Sequence, residues 1–381
     1  MSAIRVIVIS SVRPEPTGAG QIVLHRHLVD QPGIEWENYG SEPTRLTASS
    51  AIRRAVSRLA QTRLHRFAED FWIWYDGRWL DSSLPKTVPA DKQTVVLTVA
   101  QGDASGSARR FAQKHRLPLV TIFHDWSPDM SLSHSAWRKF LEKRFRELYR
   151  QSQLALCVSE EMRNQLGPHP NAQVLYPIPA KASPPLAPQT RHDDFRVLYF
   201  GNLYDYGPMV AEALNELKGH SKTRLEVRGG NPRWPLGFQK EMQQAGLWHD
   251  FAPRAELDEW LGSANAFLVP MVFEPAMRRR METSFPSKMV EMAQFGKPLV
   301  IWGPEYCSAV QWARHGNRAL CVTDPNPAVL RQALEKLSAS TDEQQRLAAA
   351  ARQAAQTDFN PGKIQEQFMQ ALRSVLPQHG N

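Results

Sequence analysis

The chain has 381 residues, of which 42% are hydrophobic, 22% charged and 9% aromatic, a composition that excludes collagen, coiled coil and global disorder. Its length exceeds what one hydrophobic core usually organises and predicts two domains. Lys and Arg number 46 against 38 Asp and Glu, and the resulting +8 suits an anionic partner without saying which. The excess is uneven: residues 1–176 hold 23 basic and 17 acidic side chains, whereas residues 177–381 hold 23 and 21. The three cysteines, Cys157, Cys307 and Cys321, stand apart in apolar runs, a pattern that fits a reducing cytosol better than a disulfide framework or a metal cluster.

In chain order, the opening MSAIRVIVISS has an apolar run too short for a secretory signal or a bilayer span and reads as a first strand, 5–11. Further β-branched runs follow at 93–100, 118–125, 154–158 and 172–176. A second series occupies 196–202, 223–230, 266–270, 298–303 and 319–324, with helical spacing between runs. Short, continuously apolar strands alternating with helices predict parallel sheets covered on both faces, so each series is a doubly wound α/β domain. The predicted boundaries are 1–176 for the first domain, 177–194 for a proline-rich linker, 195–357 for the second domain and 358–381 for a terminal helix that can return to the first. GxGxxG, Walker A, HExxH and GxSxG are all missing, which removes sequence support for the common dehydrogenase, NTPase, metalloprotease and esterase readings. With no DxD pattern either, a required metal is not indicated.

In doubly wound domains ligands bind beyond the carboxyl ends of the strands, so the loops there are the place to look. In SSVRPEPTGAGQ (10–21), Gly18 and Gly20 precede a helix and would let backbone N–H groups approach a phosphate or a hydroxyl-rich ligand; an ordinary strand-to-helix loop is the plain alternative. The third strand ends in His124-Asp125-Trp126, an imidazole able to donate to a hydroxyl or a phosphate, or else a packed histidine beside a capping Asp. The richest stretch is METSFPSKMVEMAQFGKPLVIWG (281–303). Thr283 or Ser284 is expected to cap a helix with Pro286 and Lys288 in its first turn, Glu291 one turn later and Gly296 at its end. Such a helix start with its lysine suits a diphosphate, and the carboxylate suits a ribose diol; a capped, solvated surface helix would have the same pattern.

Residues 43–66 hold six arginines and no acid, with Leu46, Ile52, Val56, Leu59 and Leu64 at helical intervals. That segment fits an anionic membrane surface, or a helix packed on the sheet with its arginines in water. The equally basic 136–150 carries Glu142 and Glu147 for internal pairing. No RRM, KH or helix-turn-helix pattern accompanies these charges, so nucleic acid is not an expected partner.

TIFHDW (121–126), LALCVSEEMRNQL (154–166), YFGNLYDYG (199–207) and FPSKMVEMAQFGKPLVI (285–301), in that order, resemble the GT-B nucleotide-sugar glycosyltransferases, specifically the retaining family called glycosyl transferases group 1 or family 4. The resemblance implies an α/β GT-B architecture, two Rossmann-like parallel-sheet domains facing across a cleft. It implies transfer of a sugar from a nucleoside diphosphate to a hydroxyl of a glycan or lipid-linked acceptor, with retention and with no further cofactor. It implies polysaccharide biosynthesis; with the scattered cysteines and the basic segment 43–66, the expected setting is the cytoplasm, peripherally on the inner face of the membrane. Among its site residues, Glu291 matches the second Glu of the family's E-x7-E motif and would hold the donor ribose. Ser287 and Lys288 fall at the diphosphate, Gly18 and Gly20 in the glycine loop, His124 beside the transferred sugar, and Pro253 and Arg254 in the loop bordering the base.

Two positions depart from the family pattern. The first Glu of E-x7-E is replaced by Thr283, since the correctly spaced Glu274 and Glu282 precede the helix. Asn202 and Tyr206 stand where the Arg and Lys after the second-domain strand are expected. Neutralisation of the diphosphate then falls on Lys288 with Arg228, Arg254 or one of Arg278, Arg279 and Arg280. These departures keep open a catalytically degenerate nucleotide-sugar-binding protein, and a nucleotide-sugar epimerase of the same architecture is a second alternative.

Overall fold

The computed structural model describes residues 3–39, 50–76, 84–88, 93–102, 104–131, 133–180, 194–219, 222–230 and 232–377; most of the proline-rich linker, 181–193, and the start of the basic segment, 43–49, lie outside them. The chain forms two compact units, one from residues 1–176 and 364–381 and the other from 177–363.

The first unit runs β1 (Ile4–Val8), α1 (Ala19–Leu28), β2 (Ile34–Asn38), α2 (Ser50–Ala60), α3 (His65–Asp76), β3 (Thr94–Val99), α4 (Ala104–His115), β4 (Leu119–Phe123), α5 (Ser127–Met130), α6 (Ser135–Gln151), β5 (Leu154–Cys157), α7 (Glu160–Leu166) and β6 (Ala172–Val174). Its six strands are all parallel, in the order β2-β1-β3-β4-β5-β6. The central strands TVVLTV and LVTIF are buried throughout, as expected for a sheet covered on both faces. Phe123 at the end of β4 meets Phe145 and Tyr149 of α6 edge-on at ring separations of 5.1 and 5.5 Å. Burying such side chains contributes about 1.5–3 kcal/mol each. The acids of α6 pair with part of its basic surface: Glu142 accepts from Arg146 one turn on, and Glu147 lies 4.0 Å from both Lys143 and the Arg109 of α4. In the SEEMRNQL stretch, the Ser159 side chain accepts from Met162 N and caps α7.

The second unit runs β7 (Phe195–Phe200), α8 (Leu203–Leu217), β8 (Thr223–Arg228), α9 (Leu236–Gln244), β9 (Trp248–His249), α10 (Arg254–Gly262), β10 (Ala266–Pro270), a 3-10 turn at Pro275–Met277, α11 (Arg278–Thr283), α12 (Ser287–Ala293), β11 (Leu299–Trp302), α13 (Ser308–Arg314), β12 (Leu320–Val322), α14 (Pro327–Ala339) and α15 (Thr341–Gln356). It is again all parallel, in the order β12-β11-β10-β7-β8-β9. The last helix, α16 (Pro361–Ser374), packs from Ile364 onward in the first unit. There Ile364, Phe368 and Leu372 are buried, and Gln367 donates to Val174 O. His27 of α1 shares a 2.8 Å hydrogen bond with Gln365 and lies 4.5 Å from the Phe368 ring. Burial lowers the His27 pKa to about 4, so the imidazole is neutral at pH 7.

Strand order reverses between β1 and β3 in the first unit and between β7 and β10 in the second. Such switch points open a crevice beyond the strand ends, so the loops after these strands are the natural ligand loops within each unit.

Candidate functional site

In the second unit, β7 ends at Phe200 and the chain turns through Gly201 and Asn202 into α8. The Asn202 side chain accepts from Tyr204 N and caps that helix, so the residue standing where the resemblance expects a cation has a structural task. The neighbouring β8 ends in Arg228-Gly229-Gly230. A Cβ on Gly229 would stand 2.0 Å from Gly201 O, and one on Gly230 would stand 2.9 Å from the Phe251 ring. Glycine at 229 is therefore what lets the two strand-end loops touch. Tyr199 is buried beneath them with its hydroxyl 3.4 Å from Asn202 O, and burial pushes the phenol pKa upward, which keeps it neutral.

Lys288 reaches this loop from α12. Its Cγ passes 3.8 Å from the position a Cβ on Gly201 would take, and its ammonium stands 4.6 Å from the centre of the Phe200 ring. One turn further along α12, the buried Glu291 accepts at Oε2 from Arg254 Nη1 at 2.9 Å. Arg254 is the first residue of α10, follows its cap residue Pro253, and also pairs with Asp258 at 2.9 Å. Lys288, Glu291, Arg254 and the paired glycine loops thus form one connected cluster, although they come from four separate stretches of sequence.

Other expected residues are placed differently. Thr283 and Ser284 do not cap α12: Thr283 ends α11, fully buried with its hydroxyl donating to Arg279 O, and Ser284 is the residue just beyond, its carbonyl accepting from the Ser308 hydroxyl. The preceding chain is already helical, so the break falls at Ser284-Phe285, and Pro286 occupies the cap position instead of the first turn, with Ser287 beginning α12. Arg228 is held by Glu256 at 2.9 Å and lies over Trp260. Arg280 pairs with Asp205 at 2.9 Å, and Arg278 covers the Tyr306 ring. Sequence reading missed Phe251, an aromatic side chain 62% exposed two residues before Pro253. A solitary exposed Phe in a loop is visible in sequence only once the neighbouring β9 is known.

In the first unit, Gly18 is the cap residue of α1 at φ 85°, a conformation that favours glycine, while Gly20 lies inside the first turn. A Cβ on Gly20 would be 3.9 Å from His124 Nδ1, so the glycine loop and the histidine after β4 face each other. Burial holds the His124 pKa below its ordinary value against the opposing pull of Asp125. A neutral imidazole can accept at one nitrogen and donate at the other.

Residues 187–354 match the family model described as "Glycosyl transferases group 1". The match lies within the second unit. It contains the whole Lys288–Glu291–Arg254 cluster. No curated protein sequence matches the chain. Among solved structures, Anabaena Alr3699/HepE in complex with UDP is similar over 98% of this chain and 100% of its own, at a TM-score of 0.63 and 15% identity. Sucrose-phosphate synthase from Thermosynechococcus elongatus is similar over 98% and 99%, at 0.62 and 13%. A glycosyltransferase from Rickettsia africae is similar over 98% of both chains, at 0.60 and 11%. The two six-stranded units have the GT-B α/β fold of these glycosyltransferases.

Proposed function

We propose that the chain is a retaining glycosyltransferase that takes a sugar from a nucleoside diphosphate, held by the second unit, and delivers it to a hydroxyl of a glycan or lipid-linked acceptor received by the first. The observation that carries this reading is the Lys288–Glu291–Arg254 cluster against the Gly201 and Gly229 loops, inside the glycosyl transferases group 1 segment. Close backbone approach leaves room for a diphosphate, and Lys288 supplies a compact positive charge beside it. Glu291, kept in place by Arg254, accepts from the ribose hydroxyls; Phe251 offers an apolar face to the base. The solved complex of Anabaena Alr3699/HepE holds UDP, which favours a uridine nucleotide as the first donor to test.

The barrier to transfer lies in the negative charge that builds on the departing diphosphate and the positive charge at the anomeric carbon. Groups already aimed at the leaving oxygen lower it most. In the retaining course the diphosphate oxygen takes the acceptor proton on the same face, so no second carboxylate is called for. His124 and the Gly18–Gly20 loop position the sugar and acceptor hydroxyls. The positive groups of this site are side chains, and the reading uses nucleotide sugar as substrate with no further cofactor.

Among the described residues no helix is long and apolar enough to cross a membrane. Val56 of α2 is buried with Ala68 and Trp72, while Ile52, Leu64 and Phe67 are exposed together with Arg54, Arg58, Arg63 and Arg66. This surface supports peripheral attachment to an anionic leaflet during glycan assembly. The burial of Thr283 and the capping task of Asn202 support a second reading, nucleotide-sugar binding without transfer. Incubation with UDP-sugars and a lipid extract as acceptor separates the two. The transferase reading requires release of nucleoside diphosphate with a product of retained anomeric configuration, and saturable binding with no release overturns it.

A further inference from the structure

Two positive side chains reach the turn by which β7 enters α8, and both come from residues 280–288. Lys288 Cγ passes 3.8 Å from where a Cβ on Gly201 would stand, and Arg280 of α11 donates from Nη1 to Asp205 Oδ2 at 2.9 Å. Asp205 stands in the first turn of α8, three residues beyond the Asn202 cap. We propose that Arg280 is a further catalytic residue, a second cation for the departing diphosphate, and that it exchanges Asp205 for a diphosphate oxygen when the donor arrives; this deepens the transferase reading above and rests on it.

The charges of the turn call for a second cation. Asn202 and Tyr206 stand where two cations are expected, and Asp205 between them adds a carboxylate. Each phosphoryl group of a nucleotide sugar is anionic, so Lys288 alone leaves the diphosphate short of positive charge while Asp205 repels it. Arg254 and Arg228 do not fill this place. Arg254 is shared by Glu291 and Asp258, each at 2.9 Å, and drawing it away would unseat the carboxylate that holds the ribose. Arg228 is held by Glu256 of α10 at 2.9 Å and lies over the Trp260 ring. Arg280 instead brings its guanidinium to the very turn from which the two cations are missing.

The exchange needs only a side-chain movement. The backbone beneath Arg280 is fixed by the buried Met281, whose sulfur accepts from Val272 N at 3.2 Å, and by the buried Thr283, whose hydroxyl donates to Arg279 O at 2.8 Å. The Arg280 and Asp205 side chains keep 23% and 31% of their surface in water, and an ion pair so placed contributes little to stability. A diphosphate carries more charge than one carboxylate, and the planar guanidinium fork matches its oxygens. The released Asp205 is not stranded, because it stays solvated in the first turn of α8, where the helix dipole favours a carboxylate.

The test is calorimetric titration of the full chain with UDP, GDP, ADP, CDP and inorganic diphosphate, on wild type, Arg280→Gln, Arg280→Lys and Asp205→Asn, with circular dichroism to establish that each is folded. The expected result is nucleoside diphosphate affinity weakened about tenfold or more in Arg280→Gln and partly restored in Arg280→Lys. Asp205→Asn should tighten it by about two- to tenfold, because the carboxylate no longer competes for Arg280 or repels the ligand. A merely structural ion pair would weaken binding alike in Arg280→Gln and Asp205→Asn, so parity or a fall in Asp205→Asn overturns the exchange. Equal affinity in wild type and folded Arg280→Gln removes Arg280 from the site and leaves the transferase reading standing. Inorganic diphosphate binding that depends on Arg280, with none of the four nucleotides bound, sinks the transferase reading and leaves the anion site; binding of no probe at all overturns both.

Discussion

Gly229→Ala is the sharpest structural perturbation of the proposed donor site. The new Cβ would stand 2.0 Å from Gly201 O, 3.2 Å from Gly201 C and 3.3 Å from Leu203 Cγ, so the nearest obstacle is backbone and cannot swing aside. Relief requires the β7–α8 loop to retreat by more than 1 Å, roughly the gap to ordinary van der Waals contact. That loop is tied down by hydrogen bonds from Gly201 N to Arg228 O at 3.0 Å and from Leu203 N to Gly230 O at 3.3 Å, while Trp248 Nε1 holds Gly229 O at 2.9 Å. Overpacking a close contact costs about 1–3 kcal/mol, and blockage by backbone puts this case near the upper end. For a unit of this size a loss of about 3 kcal/mol lowers the melting midpoint by roughly 6–12 °C. The control is Gly237→Ala in α9, where a Cβ has nothing within 4 Å; it should leave the midpoint unchanged or slightly higher, because alanine favours helix. Differential scanning calorimetry reads both variants, and UDP titration of Gly229→Ala should show weakened binding at temperatures where it is folded. If Gly229→Ala melts and binds as Gly237→Ala does, the close approach of the two loops is refuted.

Lys288→Ala should lower kcat/KM for donor turnover by about 10–100-fold, the equivalent of one charge-assisted interaction, with an unchanged circular dichroism spectrum; parity with wild type removes Lys288 from the site. Phe251→Ala should raise the Kd for UDP by about 3–10-fold and leave that for inorganic diphosphate unaltered, since only the base loses its aromatic neighbour. His27 predicts a pH dependence. Its folded pKa, about 4, is depressed below the unfolded 6.5, so protons bind the unfolded state preferentially between those values. Stability is fully present above pH 6.5 and declines by up to about 3 kcal/mol as the pH falls to about 4. Denaturant melts at pH 7.5 and 4.5 should show this decline in wild type and a shallower one in His27→Gln, and identical pH slopes would contradict it.

The fold class was legible because its central strands are apolar throughout: TVVLTV, LVTIF, LALC and LVIW stand out from the helices around them. The two strands absent from the sequence reading are both at sheet edges. β2, IEWEN, alternates charge with apolar residues and is half exposed, and β9 is only Trp248–His249. Edge strands need no continuous apolar run, because one of their sides faces no further strand. The helix around Lys288 and Glu291 was visible through its periodicity, but its start was not. Thr283 and Ser284 have good capping chemistry, yet the helix running from Arg278 to Thr283 occupies that chain first. Spacing could not reveal the pairing of Glu291 with Arg254, 37 positions apart, nor the contact of Gly229 with Gly201. Both depend on which strands the topology makes neighbours.

The most direct test of the account is calorimetric titration of the full chain with UDP, GDP, ADP and CDP, repeated on Lys288→Ala. Saturable one-to-one binding of at least one nucleoside diphosphate is expected, UDP first, with affinity falling about 10–100-fold in the variant. Folded wild-type protein that binds none of the four, or that binds one equally well with and without Lys288, would contradict it.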